Sequence, residues 1–506
     1  MGNPLFTKKP LSLLLEEMKG ENRLRRILGP VTLSSLGVGA IIGTGIFVLT
    51  GIGAHDKAGP ALTLSFAVAG LACVFAAFCY AEFASMVPVA GSAYTYAYAT
   101  LGELFAWIIG WDLILEYAVG SATVAHGWSH YFQDFLSIFG IRLPHALTLA
   151  PFDYDTAAGH FVATGTIIDL PAIVITFIVT AILVKGIRES ATFNATMVGI
   201  KLVIVLLVIG LGAFYVDPKN WQPFAPFGYG GISFFGTTLF GQTGPDGTAL
   251  GMLAGAATIF FAYIGFDSVS THAEEARNPQ RDVPIGIISS LVICTVLYIA
   301  VSAVLTGMVP YNEIDLNAPV SSAFARVGLH WAQFVISIGA VAGITSVLLV
   351  MMLSQPRVLL AMARDGLVPH SFFGAIHERF RTPWKSTMLT GLFVATMAAL
   401  LPLRVLAELV NIGTLLAFVI VCAAVLIMRR IHPEAARPFR APFVPAVPIL
   451  GIFSCLVLMF SLPVENWWRL FIWLAIGFAI YFGYGRHHSV MAKLRMEGKG
   501  EGESTT

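Results

Sequence analysis

Twelve stretches of about 20 mostly apolar residues recur along the chain, each long enough to cross the hydrocarbon of a bilayer as a helix. They lie near residues 31–56, 61–86, 104–131, 165–185, 192–215, 249–275, 284–308, 332–355, 384–402, 405–429, 444–463 and 467–486. Lipid offers no partner to a peptide N–H or C=O, so such stretches must close their hydrogen bonds internally. Runs of this length do that as helices. Composition agrees: 57% of the 506 residues are hydrophobic and 12% charged, with a mean hydropathy of +0.79. A soluble domain could not hide that much apolar surface. The net charge of +1 gives no bulk attraction to nucleic acid. Five cysteines (Cys73, Cys79, Cys294, Cys422, Cys455) fall in apolar runs without CxxC spacing and read as small buried hydrophobes. The opening MGNPLFTKKPLSLLLEEMKG has no signal-peptide core, so the first span is expected to drive insertion.

Lysine and arginine orient the spans. All but seven of the 30 lie on the face that an even number of spans assigns to both termini. The opposite face holds Lys57, Arg142, Lys219, Arg326, Arg404 and Arg469, and Lys201 lies within a span. Both termini are therefore expected in the cytoplasm and the chain in the plasma membrane. Segment QPRVLLAMARDGLVP, after the eighth span, is amphipathic and expected along the membrane surface.

Two spans carry interruptions. The first contains GVGAIIGTGIF at Gly37–Phe47, although each glycine weakens a helix by roughly 1 kcal/mol relative to alanine. Close helix packing is one explanation. Unwinding at Gly43-Thr44-Gly45 is the other, freeing amides at the positive end of a second half-helix. The sixth span, with Tyr263, Gly265 and Asp267 at its middle, favours unwinding. Two broken spans, five apart, point to an inverted-repeat transporter with its site between the halves. Helices 1–5 (31–215) would form one repeat and 6–10 (249–430) the other. Helices 11–12 would occupy 431–486, with cytoplasmic segments 1–30 and 487–506 at the ends.

The runs GAIIGTGIFVLTG, AGPALTLSF, YAEFASMVPVAGSAYTYAY and GWDLILEY resemble the cationic amino acid transporters of the amino acid–polyamine–organocation superfamily. So do FFAYIGFDSVSTHAEEARNPQRDVPIGI and RVLLAMARDGLVP. The resemblance covers about residues 25 to 430, in order. It implies an all-α integral membrane protein of the leucine-transporter-type fold, here with 12 transmembrane helices, helices 1 and 6 broken, and two C-terminal helices. Family members often have fourteen spans, a departure that touches only the C-terminal end.

An amino acid zwitterion needs donors for its carboxylate and acceptors for its ammonium. Amides of Gly43, Thr44 and Gly45 suit the first, and carbonyls left where helices stop suit the second: Ile41 and Ile42 in span 1, Phe261, Ala262 and Ile264 in span 6. Glu116, deep in span 3, is a functional candidate because an intramembrane acid is expensive. Its carboxylate would receive a guanidinium or ammonium, and the resemblance places a glutamate in this LEY context. The plain alternative is an acid that only ties helices together. Asp267 is a second candidate, or simply a cap of the resumed half-helix. Lys201 lies too deep in span 5 for easy snorkelling, and a desolvated lysine can exchange a proton during a transport cycle. Relatives of this fold place a sodium ion between spans 1 and 8, or a span 5 lysine in its stead, and Lys201 resembles the second. Thr345 and Ser346 on span 8 would bind sodium if the lysine turned away; hydroxyls bonding their own helix are the simpler expectation.

Glu82, Pro88 and Gly91-Ser92 match the family's pattern after span 2, where turn chemistry or gating is expected. His126 reads as a satisfied interior histidine rather than a proton relay. Trp467, Trp468 and Arg469 read as interface anchors of span 12. No HExxH, GxSxG or Walker motif and no metal cluster occurs, so an enzyme or ATP-driven pump is not indicated and neither cofactor nor metal is expected. The expected activity is sodium-independent, proton-coupled secondary transport of arginine, lysine or ornithine, with amino acid, protons and lipid as partners. A broad or small-neutral amino acid permease or exchanger of the same fold and a membrane amino acid sensor are the alternatives.

Overall fold

The interruption in the first span is a real break in the chain path. Helix α1 (Pro30–Ile41) ends where Ile42 turns extended (φ −73°, ψ 99°), and Thr44 is helical again. The resumed rod runs through π turns at Gly45–Leu49 and Ala54–Ala58 with Thr50–Gly53 between them. The computed structural model describes residues 6–10, 28–87, 92–155, 160–186, 190–235, 237–245, 247–380 and 382–494. Lys19, Arg23, Arg25, Arg26, Pro88, Gly91, Arg188, Arg381 and the tail beyond 494, all used in the sequence reading, lie outside them.

Among the described residues, the helices of eight residues or more continue as α2 (Leu62–Met86), α3 (Ser92–Thr100), α4 (Glu103–Ile114) and α5 (Gly120–Ile138). Next come α6 (Leu170–Lys185), α7 (Ser190–Gly212), α8 (Met252–Ile259), α9 (Pro279–Met308) and α10 (Pro319–Arg326). The last five are α11 (His330–Arg364), α12 (Trp384–Leu400), α13 (Leu403–Ile431), α14 (Ala446–Phe460) and α15 (Val464–Ile480). Helix occupies each of the twelve apolar stretches. By length and composition, eight described stretches can cross a membrane, and three shorter apolar helices accompany them. One of the eight, Gly45–Met86, joins the resumed half of span 1 to α2 through a turn at Gly59, whose φ is +61°. Exposed Leu71, Phe177, Val203, Leu206, Val296, Leu392 and Phe453 stud the outer faces of these rods, as a lipid-facing surface requires.

Three features differ from the sequence reading. Segment QPRVLLAMARDGLVP does not lie apart on the membrane surface: as far as Arg364 it continues α11 without a break through Pro356. Its apolar face (Val358, Leu359, Met362) is buried in protein, and Met362 packs by Gly110 of α4. The amphipathic pattern therefore marks a helix half covered by its neighbours. Connections otherwise read as irregular carry three antiparallel strand pairs: Phe152–Asp155 with His160–Ala163, Ile232–Phe234 with Thr237–Phe240, and Gln242–Thr243 with Ala249–Leu250. The loop after span 2 contains helix α3, whose tyrosine-rich YTYAYAT escapes a search for apolar runs.

Span 6 is broken as well. Helix α8 passes into a 3-10 turn (Phe260–Tyr263), Ile264 is extended, and Gly265 takes φ +117° before the short helix Ser268–Thr271. The two breaks touch. A Cβ on Gly45 would collide with the backbone of Ala262, and one on Gly265 would stand 3.0 Å from the Ala40 carbonyl oxygen. Glycine is thus required by close approach at the first position and by close approach plus a left-handed φ at the second.

Gly265→Val combines about 1–3 kcal/mol of backbone strain with a collision against α1, and should remove most folded protein. Gly199→Ala, on an α7 glycine with open space around it, should leave yield unchanged. Monodisperse yield on size-exclusion chromatography in detergent checks both, and equal yields would contradict the close contact of the breaks.

Candidate functional site

A half-helix that stops inside the bundle exposes its last carbonyls, and here each has a partner or a close neighbour. Lys201 of α7, fully buried, donates from Nζ to the Gly39 carbonyl (2.7 Å) and the Ile42 carbonyl (2.9 Å). Tyr298 of α9 donates to the Ile41 carbonyl (2.8 Å), the Ile42 amide returns to Val38, and Ala40 faces Gly265. The ammonium sits at the negative end of α1, where a cation is favoured. Gly343 of α11 borders the lysine stem, so the charge lies between the broken span and α11, as the resemblance implies. Ile41 and Ile42, named for a substrate ammonium, already accept one bond each; a carbonyl oxygen keeps a second lone pair.

Across the break, the amides of Gly43, Thr44 and Gly45 start the resumed rod, ahead of any helical acceptor. Thr44 reaches the Val124 carbonyl of α5 (3.4 Å) and lies against Gly127. On span 6, the Phe261 carbonyl accepts the Ile264 amide (3.1 Å), while Ala262 packs on Gly45. Thr345 and Ser346 return their hydroxyls to Val341 (2.7 Å) and Gly343 (2.9 Å), and Thr345 also accepts from Trp128 Nε1 (2.8 Å). Both follow the simpler expectation of hydroxyls bonded to their own helix.

Glu116 lies in a π turn, Leu115–Val119, that joins α4 to α5. Such turns frequently mark functional positions. Thr414 of α13 donates to its Oε2 (3.1 Å), and Tyr117 donates to Asp267 Oδ2 (2.7 Å). Glu116 and Asp267 lie near each other, and Glu116 Oε1 and Asp267 Oδ1 receive no donor among the described residues. Asp267 makes no side-chain cap to the short helix that follows it; it meets Tyr117 and Glu116 instead. Val124, which touches Thr44, is eight residues from Glu116, or about 12 Å along the helix. The acids thus stand beside the break in span 6 rather than opposite Gly43–Gly45.

Sequence reasoning passed over Asp112. It is buried one helical turn before Glu116, and neither of its oxygens has a partner. Its signal was the second acid of GWDLILEY, at i and i+4 with the first. Tyr298 and Tyr117 were also missed, since a tyrosine among apolar residues looks like packing. His126 engages both ring nitrogens, with Asp169 Oδ2 (2.7 Å) and the Leu401 carbonyl (2.6 Å), as a satisfied interior histidine would.

Residues 6–10 form a strap along the bundle, with the Lys9 amide bonded to the Tyr98 carbonyl (3.1 Å), and the face they lie on carries ion pairs. Lys9 meets Asp365 (2.8 Å), to which Tyr94 of α3 also donates (2.6 Å). Glu82 at the end of α2 takes a two-pronged bond from Arg429 (3.0 and 2.6 Å) and the Ala441 amide (2.8 Å).

A family model described as amino acid permease matches residues 28–481. The chain is 47% identical to the methylthioribose transporter of Bacillus subtilis (strain 168) over 97% of its own length and 99% of the relative's. It is 49% identical to the branched-chain amino acid permease BcaP of the same organism, again over 97% and 99%. To the vacuolar cationic amino acid transporter 2 of Arabidopsis thaliana it is 42% identical, over 82% of this chain and 61% of that one. These relatives are named as transporters, and a permease with several apolar spans is a multi-pass membrane protein. The chain belongs to the amino acid permease family of the amino acid–polyamine–organocation superfamily.

Proposed function

We propose that the chain is a sodium-independent amino acid permease of the plasma membrane, working by alternating access. Its twelve spans form two five-helix repeats, 31–215 and 249–430, with helices 11 and 12 in 431–486 and both tails (1–30 and 487–506) cytoplasmic. The observation that carries this reading is the Lys201 ammonium on the Gly39 and Ile42 carbonyls. A sodium ion would need those oxygens, and two cations cannot share them. A proton leaving Lys201 would release the carbonyls and loosen the break, which links protons to the cycle. The zwitterionic head of the substrate is held by the amides of Gly43, Thr44 and Gly45 and by the remaining carbonyl lone pairs around Ile41, Ile42, Phe261, Ala262 and Ile264.

Neutral aliphatic amino acids are the preferred cargo. The relative named for branched-chain amino acids, aligned nearly end to end with this chain, supports this. A cationic substrate is the second reading. It is favoured by the unpartnered oxygens of Glu116 and Asp267 and by relatives named for cationic amino acids.

In proteoliposomes, unlabelled leucine, isoleucine and valine should suppress labelled leucine uptake, with no change when sodium is replaced by potassium. A sodium requirement would remove the role given to Lys201, and binding without accumulation would indicate a sensor. Glu116→Gln should keep leucine counterflow within about threefold. A tenfold loss confined to arginine, with leucine spared, would instead establish the cationic reading. Lys201→Met orphans two buried carbonyls, at about 1–3 kcal/mol each. It should lower the Tm in detergent and reduce uptake more than tenfold; wild-type Tm and uptake would refute the account of the break.

A further inference from the structure

Resting on the permease reading above, we propose that Asp112 is a proton-carrying carboxyl in a relay that links the strap-bearing face to the Glu116–Asp267 pair. Seven buried polar atoms without a hydrogen-bond partner among the described residues belong to this one region. They are both oxygens of Asp112, Glu116 Oε1, Asp267 Oδ1, Tyr80 Oη, Tyr96 Oη and Gln355 Oε1. Buried polar groups are otherwise almost always paired, since an orphan loses its hydration with nothing in return. Orphans concentrated in one place therefore mark a function.

These groups are neighbours. Asp112 and Glu116 lie one turn apart on one helix face, with Cβ atoms about 5–6 Å apart. The rings of Tyr80 and Tyr96 stand 6.4 Å apart, and both tyrosines lie close enough to feel the charge of Asp267. Gln355 is level with Glu116 by helix register: Gly110 packs by Met362 and Gly120 by Met351, so the antiparallel α11 brings residue 355 beside residue 116. The set also has complementary chemistry. Tyrosine hydroxyls have protons to give, carboxylates and an amide oxygen have lone pairs to receive, and water one molecule deep can connect them.

Among the described residues, no charged side chain bonds to Asp112. From α13 it meets Gly413, and on its own helix Glu116 is the nearest titratable group. Around the pair stand Tyr80 from α2 and Tyr96 from α3, with Tyr117 in the π turn and Thr414 on α13. Toward the surface, Gly110 abuts Tyr94, which is bonded to Asp365 and so to Lys9. On the positive-inside orientation this is the cytoplasmic end. A carboxyl with neither a cation nor a donor beside it is poorly suited to a permanent anion and well suited to holding a proton. In the relay step the protonated Asp112 carboxyl gives its proton through water to the Glu116 carboxylate. Asp112 is left ionised and Glu116 neutral, with nothing oxidised or reduced. Reloading from the cytoplasmic side follows when the Lys9–Asp365 closure opens.

The test separates exchange from proton-driven accumulation in proteoliposomes holding the full chain. In Asp112→Asn, leucine counterflow should stay within about twofold of wild type. Accumulation driven by a proton gradient should fall at least tenfold and lose its pH dependence, and Asp112→Glu should restore most of it. Wild-type accumulation and pH profile in Asp112→Asn would overturn the proposal, as would a parallel fall in counterflow, which a purely structural role predicts. Should Asp112→Asn not fold, Tyr96→Phe decides, because it removes one hydroxyl and keeps the ring. A several-fold drop in proton-driven accumulation alone supports the relay, and no change refutes it. Absence of counterflow for every amino acid in the wild type is a separate outcome and refutes the permease reading itself.

Discussion

A membrane-embedded helix that stops halfway must find partners for its last carbonyls, and a single ammonium supplies two of them here. Lys201 joins Gly39 and Ile42, which lie on opposite sides of the last helical residues of α1, and so fixes the geometry of the break itself. Tyr298 completes the end at Ile41. With these oxygens engaged, the chain can reverse its helical path at Ile42 and Gly43 without leaving bare peptide groups in an apolar interior. The second break then fits against the first only because Gly45 and Gly265 have no side chains to keep Ala262 and Ala40 away. The resulting contact brings two half-helix ends of opposite polarity into one volume, and that juxtaposition suits a zwitterion.

The sequence disclosed what depends on local pattern. Span positions followed from apolar runs of fixed length, both interruptions from glycine inside such runs, and Lys201 from a charge in a segment otherwise free of them. What stayed hidden depends on partners far along the chain. Residues 116 and 267 are 151 positions apart, and no periodicity records that their side chains meet; Glu116 therefore read as an open carboxylate waiting for a cation. Asp112 stood in the same quoted motif and was overlooked, because one acid seemed to account for the segment. The end of α11 was misassigned for a related reason. Amphipathicity reports that one face is covered without saying whether lipid or protein covers it.

The two sets of ionisable groups sit differently around the breaks. Lys201 is held by backbone dipoles with no carboxylate bonded to it, and the acids are held by hydroxyls with no ion pair among the described residues. Neither set can shed its charge onto the other through a direct bond.

Charge arithmetic then bears on the cargo. A neutral amino acid brings one carboxylate and one ammonium and so adds no net charge beside Glu116 and Asp267. An arginine or lysine adds a full positive charge. It would be admitted only with an ionised carboxylate at Glu116 or Asp267 to neutralise it. Such exchange of a proton for a guanidinium is chemically reasonable, but it changes what moves per cycle: cationic cargo would travel against a proton, neutral cargo with one. The direction of proton movement therefore distinguishes the two substrate classes as sharply as affinity does.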